Sequence, residues 1–240
     1  LDATTGNITG AGALTLNAVG GVTLNDSLTT AGATVIDADT DNNGAGSFTL
    51  AASKALSTTG NTLSITADDI ALNGTLNSGA AATTILVSDG GTIGLGATAG
   101  NMTISGAELQ NITATGLTIG DATNGSITVN GITAANSNNV SGTVTLNATQ
   151  DNASLAFSGS ASTFNALSAS ADDGMSLNAN VTTDTGALAL DGDADNAADG
   201  TDNIAFGNGV TVTSASTLTL NATTGAMTGA GALTLNAAAG

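Results

Sequence analysis

The nine residues GAGALTLNA occupy positions 10–18 and return unchanged at positions 229–237. The match extends further, because residues 1–21 align with residues 220–240 at a constant offset of 219, and sixteen of the 21 positions are identical. Repetition of this length is typical of repeat architectures rather than of a globular enzyme core. We therefore expect one continuous unit over 1–240, made of a 219-residue repeat and the start of its next copy, within a longer tandem array.

A shorter pattern runs inside this repeat, in which two apolar residues flank one small residue and a small polar residue follows. Copies are LTLN at 14–17, 218–221 and 233–236 and VTLN at 22–25 and 144–147, with looser copies such as LSIT at 63–66, ITVN at 127–130 and LALD at 188–191. Alternation with a period of two predicts β-strands, and Thr, Val and Ile favour them. No apolar pattern has a helical period and Gly interrupts nearly every window, so we expect no helices.

Short strands separated by Gly, Asn, Ser and Asp suit a sandwich, a barrel or a solenoid. The nearly constant motif, the matching ends and the scarcity of aromatic residues favour a solenoid, because stacked coils place the same side chain at every level. We predict an all-β, single-stranded parallel β-solenoid with about 20 residues in each coil and roughly 12 coils, spaced by about 4.8 Å.

This fold assigns a direction to each residue of the motif. Leu14 and Leu16 should point into the core and Thr15 outward. Asn17 should occupy a corner, where its tolerance of left-handed backbone and its amide hydrogen bonds suit a bend. The same position is held by Asn25, Asn73, Asn130, Asn147, Asn178, Asn221 and Asn236.

The charge of the chain is strongly one-sided. The chain has nineteen acidic residues and one basic residue, Lys54, so its formal net charge is −18. Such a surface repels phosphate backbones and anionic lipids, so we expect neither nucleic acid nor a membrane as partner. No run approaches the roughly 18 apolar residues of a membrane helix. There is no Cys, so no disulfide holds the fold and the redox compartment stays open.

The sequence does not predict an enzyme. Without His and Cys, neither a Ser-His-Asp triad nor a zinc site can be assembled. Paired carboxylates could still cleave glycans, but the aromatic or cationic platform that would hold a sugar is lacking. We assign no catalytic and no cofactor-binding residues.

Two acidic clusters are the sharpest local features and are expected as loop insertions at 37–46 and 191–203. DADTDNNG (37–44) offers Asp37, Asp39 and Asp41, and DGDADNAADGTD (191–202) offers Asp191, Asp193, Asp195, Asp199 and Asp202. Calcium takes about six to eight hard oxygen ligands, and the second cluster follows the EF-hand spacing at positions 1, 3, 5, 9 and 12. It departs from that motif at Asn196, where Gly is usual, and at Asp202, where Glu is usual.

Two interpretations of these clusters remain open, solvated surface loops and calcium sites. No cofactor is required, and calcium is the ion whose chemistry fits. The remaining acidic residues are expected to serve solubility, namely Asp68, Asp69, Asp172, Asp173 and Glu108.

Several stretches resemble the repeat regions of giant bacterial surface exoproteins, the filamentous-haemagglutinin-like adhesins. They are GALTLNA at 12–18 and 231–237, GVTLN at 21–25 and GTVTLNA at 142–148. The resemblance covers the whole chain and is compositional. It implies a right-handed parallel β-helix that is secreted and displayed on the bacterial cell surface as a stalk, fibre or adhesin.

Two hypotheses about function follow from these observations. The first is a structural repeat segment of a long extracellular filament, with further copies of itself as the partner, through tandem repetition or end-to-end stacking. The alternative is an adhesin or binding module, whose calcium-ordered acidic loops contact a host or neighbouring cell surface or a glycan. A smooth, uniform rod favours the first, and a long ordered loop favours the second.

Overall fold

The chain forms a three-sided parallel β-solenoid in the computed structural model, which describes residues 1–4 and 6–238. Each coil visits a first, a second and a third face in turn, and the strands of each face stack on those of the previous coil. Every strand pairing in these residues is parallel. The predicted parallel β-solenoid is thereby confirmed. Strands are numbered β1 to β28 and helices α1 and α2 in chain order.

The second face is one unbroken sheet of nine strands that runs the length of the molecule. Its strands are β2 (Leu14–Asn17), β5 (Thr34–Asp37), β8 (Leu63–Ala67), β11 (Ala82–Val87), β15 (Gly116–Ile119), β17 (Thr143–Ala148), β20 (Ala166–Ala171), β23 (Leu188–Asp191) and β26 (Leu218–Asn221).

The first face contains a five-stranded and a four-stranded sheet, separated by an isolated bridge between Ala114 and Val140. The five strands are β1 (Ile8–Gly10), β4 (Leu28–Thr30), β7 (Ala55–Ser57), β10 (Thr75–Asn77) and β14 (Ile112–Thr113). The four strands are β19 (Ser162–Phe164), β22 (Val181–Thr183), β25 (Val210–Ser214) and β28 (Leu233–Ala237).

The third face is also divided into two sheets. The shorter sheet holds β3 (Val22–Leu24), β6 (Phe48–Leu50) and β9 (Ile70–Leu72). The longer sheet holds β13 (Met102–Ile104), β12 (Ile93–Gly96), β16 (Ile127–Asn130), β18 (Leu155–Phe157), β21 (Met175–Leu177), β24 (Ile204–Phe206) and β27 (Met227–Gly229). The fourth coil is irregular, because β13 pairs in parallel with the preceding strand β12.

Apolar residues stack in register along the inside of the second face. One ladder runs through Leu16, Ile36, Ile65, Ile85, Ile119, Leu146, Ala169, Leu190 and Leu220. Burial alternates along the strands, so that in β2 Thr15 is exposed between two half-buried leucines, as the motif predicts. All four phenylalanines, Phe48, Phe157, Phe164 and Phe206, lie in the same core.

The coils are longer and fewer than predicted. Register partners are 20 residues apart from Leu14 to Thr34, but 34 apart from Ala82 to Gly116. The predicted length of about 20 is therefore the lower limit, because corners carry insertions, above all residues 38–47 and 192–203 and the segment that contains β12, β13 and a short helix. Nine stacked strands at about 4.8 Å each make a rod of about 40 Å.

Two single-turn helices contradict the prediction of none. Helix α1 spans Gly106–Gln110 and helix α2 spans Ala134–Ser137. Capping boxes explain them: Ser105 with Glu108, and Thr133 with Asn136, satisfy free amide groups at each start. A turn closed by its own caps needs no repeating apolar face, which is why a search for helical periodicity misses it. No helix in the described residues has the length and apolarity to cross a membrane.

The strand-end asparagines do not adopt the left-handed backbone expected at the corners, although some of them make the expected amide hydrogen bonds. Positive φ angles occur at Asn42, Asn152 and Asn196, which lie in loops. The strand-end asparagines keep negative φ, and the amides of Asn130, Asn221 and Asn236 join neighbouring coils. Asn130, for example, donates to the Ala97 carbonyl at 2.9 Å and accepts from the Ser160 amide at 2.9 Å. Gly131, with φ of 71°, makes the bend that follows.

Candidate functional site

The negative charge of the molecule is concentrated along one edge, where the chain passes from the second face to the third. Fifteen of the nineteen acidic residues lie in these connections or at the strand ends that begin them. They are Asp37, Asp39, Asp41, Asp68, Asp69, Asp89, Asp121, Asp151, Asp172, Asp173, Asp191, Asp193, Asp195, Asp199 and Asp202. We call this row, which extends from the second to the eighth coil, the acidic edge.

The only lysine lies away from the acidic edge. Lys54 precedes β7, and its Nζ contacts Asp26 Oδ1 at 2.7 Å. Together with the amide of Ala3, this contact lowers the pKa of Asp26 to about 2. No cation of the chain therefore neutralises the acidic edge within the described residues.

Desolvation and mutual repulsion among the aspartates raise the pKa of three residues of the acidic edge. Burial raises the pKa of Asp68, and the carboxylates of Asp89, Asp69 and Asp39 raise it further. Burial likewise raises the pKa of buried Asp172, with contributions from neighbouring aspartates. The pKa of Asp199 is also raised although its side chain is largely exposed, through local desolvation and the carboxylates of Asp195 and Asp202. Groups that are desolvated beside like charges favour the neutral form, because their charged form loses hydration and gains repulsion.

The first cluster of the edge is built across three coils around Gly44. Asp39 is fully buried, and its Oδ2 accepts hydrogen bonds from Ser88 Oγ at 2.6 Å and from the Gly44 amide at 3.1 Å. Its Oδ1 is buried and has no partner. A Cβ on Gly44 would lie 2.7 Å from Asp89 Oδ2 and 3.7 Å from Asp68 Oδ1, so carboxylates from the next two coils close around this glycine.

Asp39 stays charged although it is buried. Burial alone would raise its pKa, but hydrogen bonds from Ser88 and from the amides of Gly44 and Asn43 outweigh burial and lower the pKa below its usual value. An ionised carboxylate with one unpaired buried oxygen is costly unless a cation or donor completes it.

The expected set of Asp37, Asp39 and Asp41 is not brought together as one group. Asp37 Oδ1 accepts from the Asp39 amide at 3.2 Å, which closes a local turn. Asp41 is exposed, and its Oδ2 accepts from Asn43 Nδ2 at 2.8 Å. Of the three, only Asp39 is directed into the cluster that Asp68 and Asp89 complete.

The second cluster lies in the connection 192–203, at the other end of the acidic edge. Asp193 and Asp202 are buried, and both share Thr224 of the next coil: Asp193 Oδ2 accepts from its amide, and Asp202 Oδ2 accepts from its Oγ1 at 3.2 Å. The Oδ1 atoms of both aspartates are buried without a partner. Asp202 has a φ of 45°, a left-handed backbone that costs energy outside Gly.

The other members of the EF-hand-like set point elsewhere. Asp191 accepts from the Asp193 amide at 3.1 Å and from Asn221 Nδ2 at 3.0 Å. Asp195 is exposed and accepts from the Ala197 amide at 2.9 Å, and Asp199 is also exposed. The EF-hand spacing therefore predicts two inward carboxylates, Asp193 and Asp202, but not the ligand shell of that motif.

Neither cluster is a finished metal site. No three acidic side chains among residues 1–4 and 6–238 are already close enough to hold one ion. The first cluster instead has one unpaired buried carboxylate oxygen, on Asp39, with Asp68 and Asp89 nearby, and the second has two, on Asp193 and Asp202. A shallow depression of about 300 Å³ adjoins the first cluster and is lined in part by Asn42, Asp89 and Asp121.

Several residues assigned to solubility have structural roles. Glu108 closes the cap of α1 and also accepts from the Leu72 amide at 3.0 Å. Asp69 accepts from the Thr103 amide at 2.8 Å, and buried Asp172 accepts from the Asn152 amide at 2.9 Å. A signal for the edge existed in the sequence, because most of its aspartates follow an alternating apolar motif within a few residues, as in LSITADD and LSASADD.

We predict that Asp172→Asn stabilises the protein at pH 7. The pKa of Asp172 is higher in the folded protein than in the unfolded chain. Its protonated carboxyl group therefore stabilises the fold fully at pH values below the unfolded pKa of about 3.9. This stabilisation is lost as the pH rises through the folded pKa. The amide oxygen of Asn can still accept from Asn152. In melting curves with EDTA, the variant should melt higher than the parent at pH 7, and the difference should vanish at low pH.

The control is Asp184→Asn, which changes an exposed aspartate outside the edge. It should leave the melting temperature nearly unchanged at both pH values. A lower melting temperature for Asp172→Asn at pH 7, or a difference that does not depend on pH, would contradict the prediction.

The chain was also compared with known proteins. No protein-family model, no curated protein and no solved structure matches it.

Proposed function

We propose that this chain is a structural repeat segment of a long extracellular bacterial surface filament, stalk or fibre. The observation that carries the proposal is the last coil, which is open and bears the sequence that begins the repeat. Met227, Leu233 and Leu235 are 49%, 36% and 46% exposed. Their counterparts in the first coil, Ile8, Leu14 and Leu16, are half-buried and pack against the core.

The repeat itself specifies what covers these side chains. At the start of the chain, β4 and β5 of the second coil stack on β1 and β2 of the first. Strands β27 and β28 are copies of β1 and β2, so a further copy of residues 22–37 would supply the strands that cover them. A solenoid with this repeat can extend coil upon coil without changing its cross-section.

The bacterial surface location draws on the resemblance of GALTLNA and GTVTLNA to surface exoprotein repeats. The net charge of −18 suits an exposed rod, because like charges keep neighbouring rods soluble and apart. Stacking then occurs at the coil ends, where apolar side chains and unpaired strand edges lie.

We expect the isolated chain to associate end to end, because each terminal coil leaves backbone hydrogen-bonding groups open. Sedimentation velocity should show species that grow with concentration, and electron microscopy should show threads one coil wide. Leu235→Glu should weaken this association, since it adds charge to the open coil.

The matched control is Val35→Glu, which alters an exposed apolar side chain of β5, a strand already paired on both sides by β2 and β8. It should not change association. A stable monomer at high concentration would overturn the filament proposal, and so would side-by-side bundles that respond to Val35→Glu and not to Leu235→Glu.

A second candidate function, an adhesin or binding module with calcium-ordered loops, is favoured by the unpaired oxygens of Asp39, Asp193 and Asp202. Calcium accepts carboxylate and main-chain oxygens in flexible geometry, so small side-chain rotations could complete a shell at either cluster. Bound calcium would fix the connections 38–47 and 192–203 as protruding surfaces for a cell surface or a glycan. The two functions are compatible, because a filament can carry binding loops along its side.

We expect calcium to raise the melting temperature relative to EDTA. At 100 times its Kd, one bound ion adds about 2.7 kcal/mol, which corresponds to about 5–10 °C for a chain of this size. The double variant Asp193→Asn, Asp202→Asn should lose the part of this rise that belongs to the second cluster, without melting lower than the parent in EDTA, because it removes unpaired buried charge.

Asp184→Asn again serves as control and should keep the full response to calcium. If the parent melts at the same temperature in calcium and in EDTA, the acidic loops are solvated surface loops. An equal response in the double variant would place the ion elsewhere.

A further inference from the structure

The two copies of the repeated sequence lie on different faces of the solenoid. Strand β1 is on the first face, whereas its copy β27 is on the third. Strand β2 is on the second face, whereas its copy β28 pairs with β25 on the first. Both copies are therefore displaced by one face, in the same direction.

A third position gives the same displacement independently. The carbonyl of Leu1 accepts from the Asn25 amide at 2.9 Å, which places Leu1 beside β3 on the third face. Its counterpart Leu220 belongs to β26 on the second face. The copies of three segments, residues 1, 8–10 and 14–17, thus all lie one face earlier than the originals, in the order in which each coil passes the faces.

We propose that the 219-residue repeat advances by eight coils and two faces rather than by a whole number of coils, so that successive copies are rotated by one third of a turn. This inference rests on the proposed tandem filament. It identifies the partner of the open last coil as the next copy of this sequence, whose strands lie one face earlier than those of the first copy. Three copies restore the original orientation.

The cross-section of the fold permits such a shift. All three faces use short strands with alternating inward apolar residues, as LTLN shows by occurring on the second face in β2 and β26 and on the first face in β28. Leu233 and Leu235 take register with Val210 and Val212 of β25, both of which are buried. An apolar ladder is therefore continued although the face has changed.

The rotation determines where the filament carries its charge. In the first copy the acidic edge lies between the second and third faces. In the next copy it would lie between the first and second, and in the third copy between the third and first. Charge that would form one stripe along a whole-coil repeat is instead distributed around the rod, so binding loops face outward in all directions and like charges of neighbouring repeats stand farther apart.

The 240-residue chain allows a direct test with cysteine pairs, since it contains no Cys of its own. Thr211 and Thr234 are register partners, and parallel neighbours at about 4.8 Å fall within the Cα separation of a disulfide. Thr211→Cys with Thr234→Cys should form an intramolecular disulfide on mild oxidation. A whole-coil repeat would instead place β28 on β26, and Thr219→Cys with Thr234→Cys would then react.

The positive control is Thr182→Cys with Thr213→Cys. These residues are register partners within the first face, and they are neighbours whether or not successive repeats are rotated. We expect the control pair and the 211/234 pair to react at comparable rates and the 219/234 pair to remain reduced, as measured by mass after thiol alkylation. Preferential reaction of the 219/234 pair, equal reaction of both pairs, or reaction of neither while the control reacts would each overturn the proposed rotation.

These outcomes are separable from the fate of the filament proposal. If the chain stays monomeric but the 211/234 pair reacts, the displacement by one face holds for this chain and the filament proposal is rejected. If threads form but the 219/234 pair reacts, the filament is retained and its repeats are aligned.

Discussion

The structure depends on the stacking of inward apolar side chains in register from one coil to the next. On the second face this ladder passes from Leu16 to Leu220 through Ile, Leu and Ala residues, while parallel backbone hydrogen bonds hold the coils at a fixed spacing. Because each level presents nearly the same environment, the same short motif is suitable at every level. This geometry accommodates verbatim repetition within the chain.

The same stacking forces polar side chains into rows as well. At the edge between the second and third faces it places aspartates in coil after coil, and the fold accommodates them with Ser88, Thr224 and main-chain amides that donate hydrogen bonds. Donors are too few, because Asp39, Asp193 and Asp202 each keep one buried oxygen unpaired. An apolar side chain of similar size would avoid this cost, which is the reason for associating the edge with cations. A rotation of one third of a turn between repeats would keep this charge from adding up along one line.

The sequence predicted the parallel solenoid because a period of two and a self-match at 219 residues are both visible in one dimension. Coil length was underestimated, since an insertion such as 192–203 changes the distance along the chain without changing the stack. The helices were missed because Ser105 and Thr133 start single turns that have no periodicity. Residues Asp39, Asp193 and Asp202 were recognised from local spacing, whereas Asp68 and Asp89 approach Asp39 only through stacking of coils whose register the sequence does not reveal. The change of face between copies was invisible for the same reason.

The most direct test of the account measures distances between spin labels along one outward row of the second face. Thr15, Thr118 and Thr219 occupy the same register in the first, fifth and ninth strands of this sheet. With labels on cysteines at 15 and 118, and at 15 and 219, the solenoid predicts separations of about 19 Å and 38 Å, since each coil adds about 4.8 Å. Separations that do not double between the two pairs, or a 15 to 219 distance as short as that of two facing sheets at about 10 Å, would contradict the stacked coils on which the whole account depends.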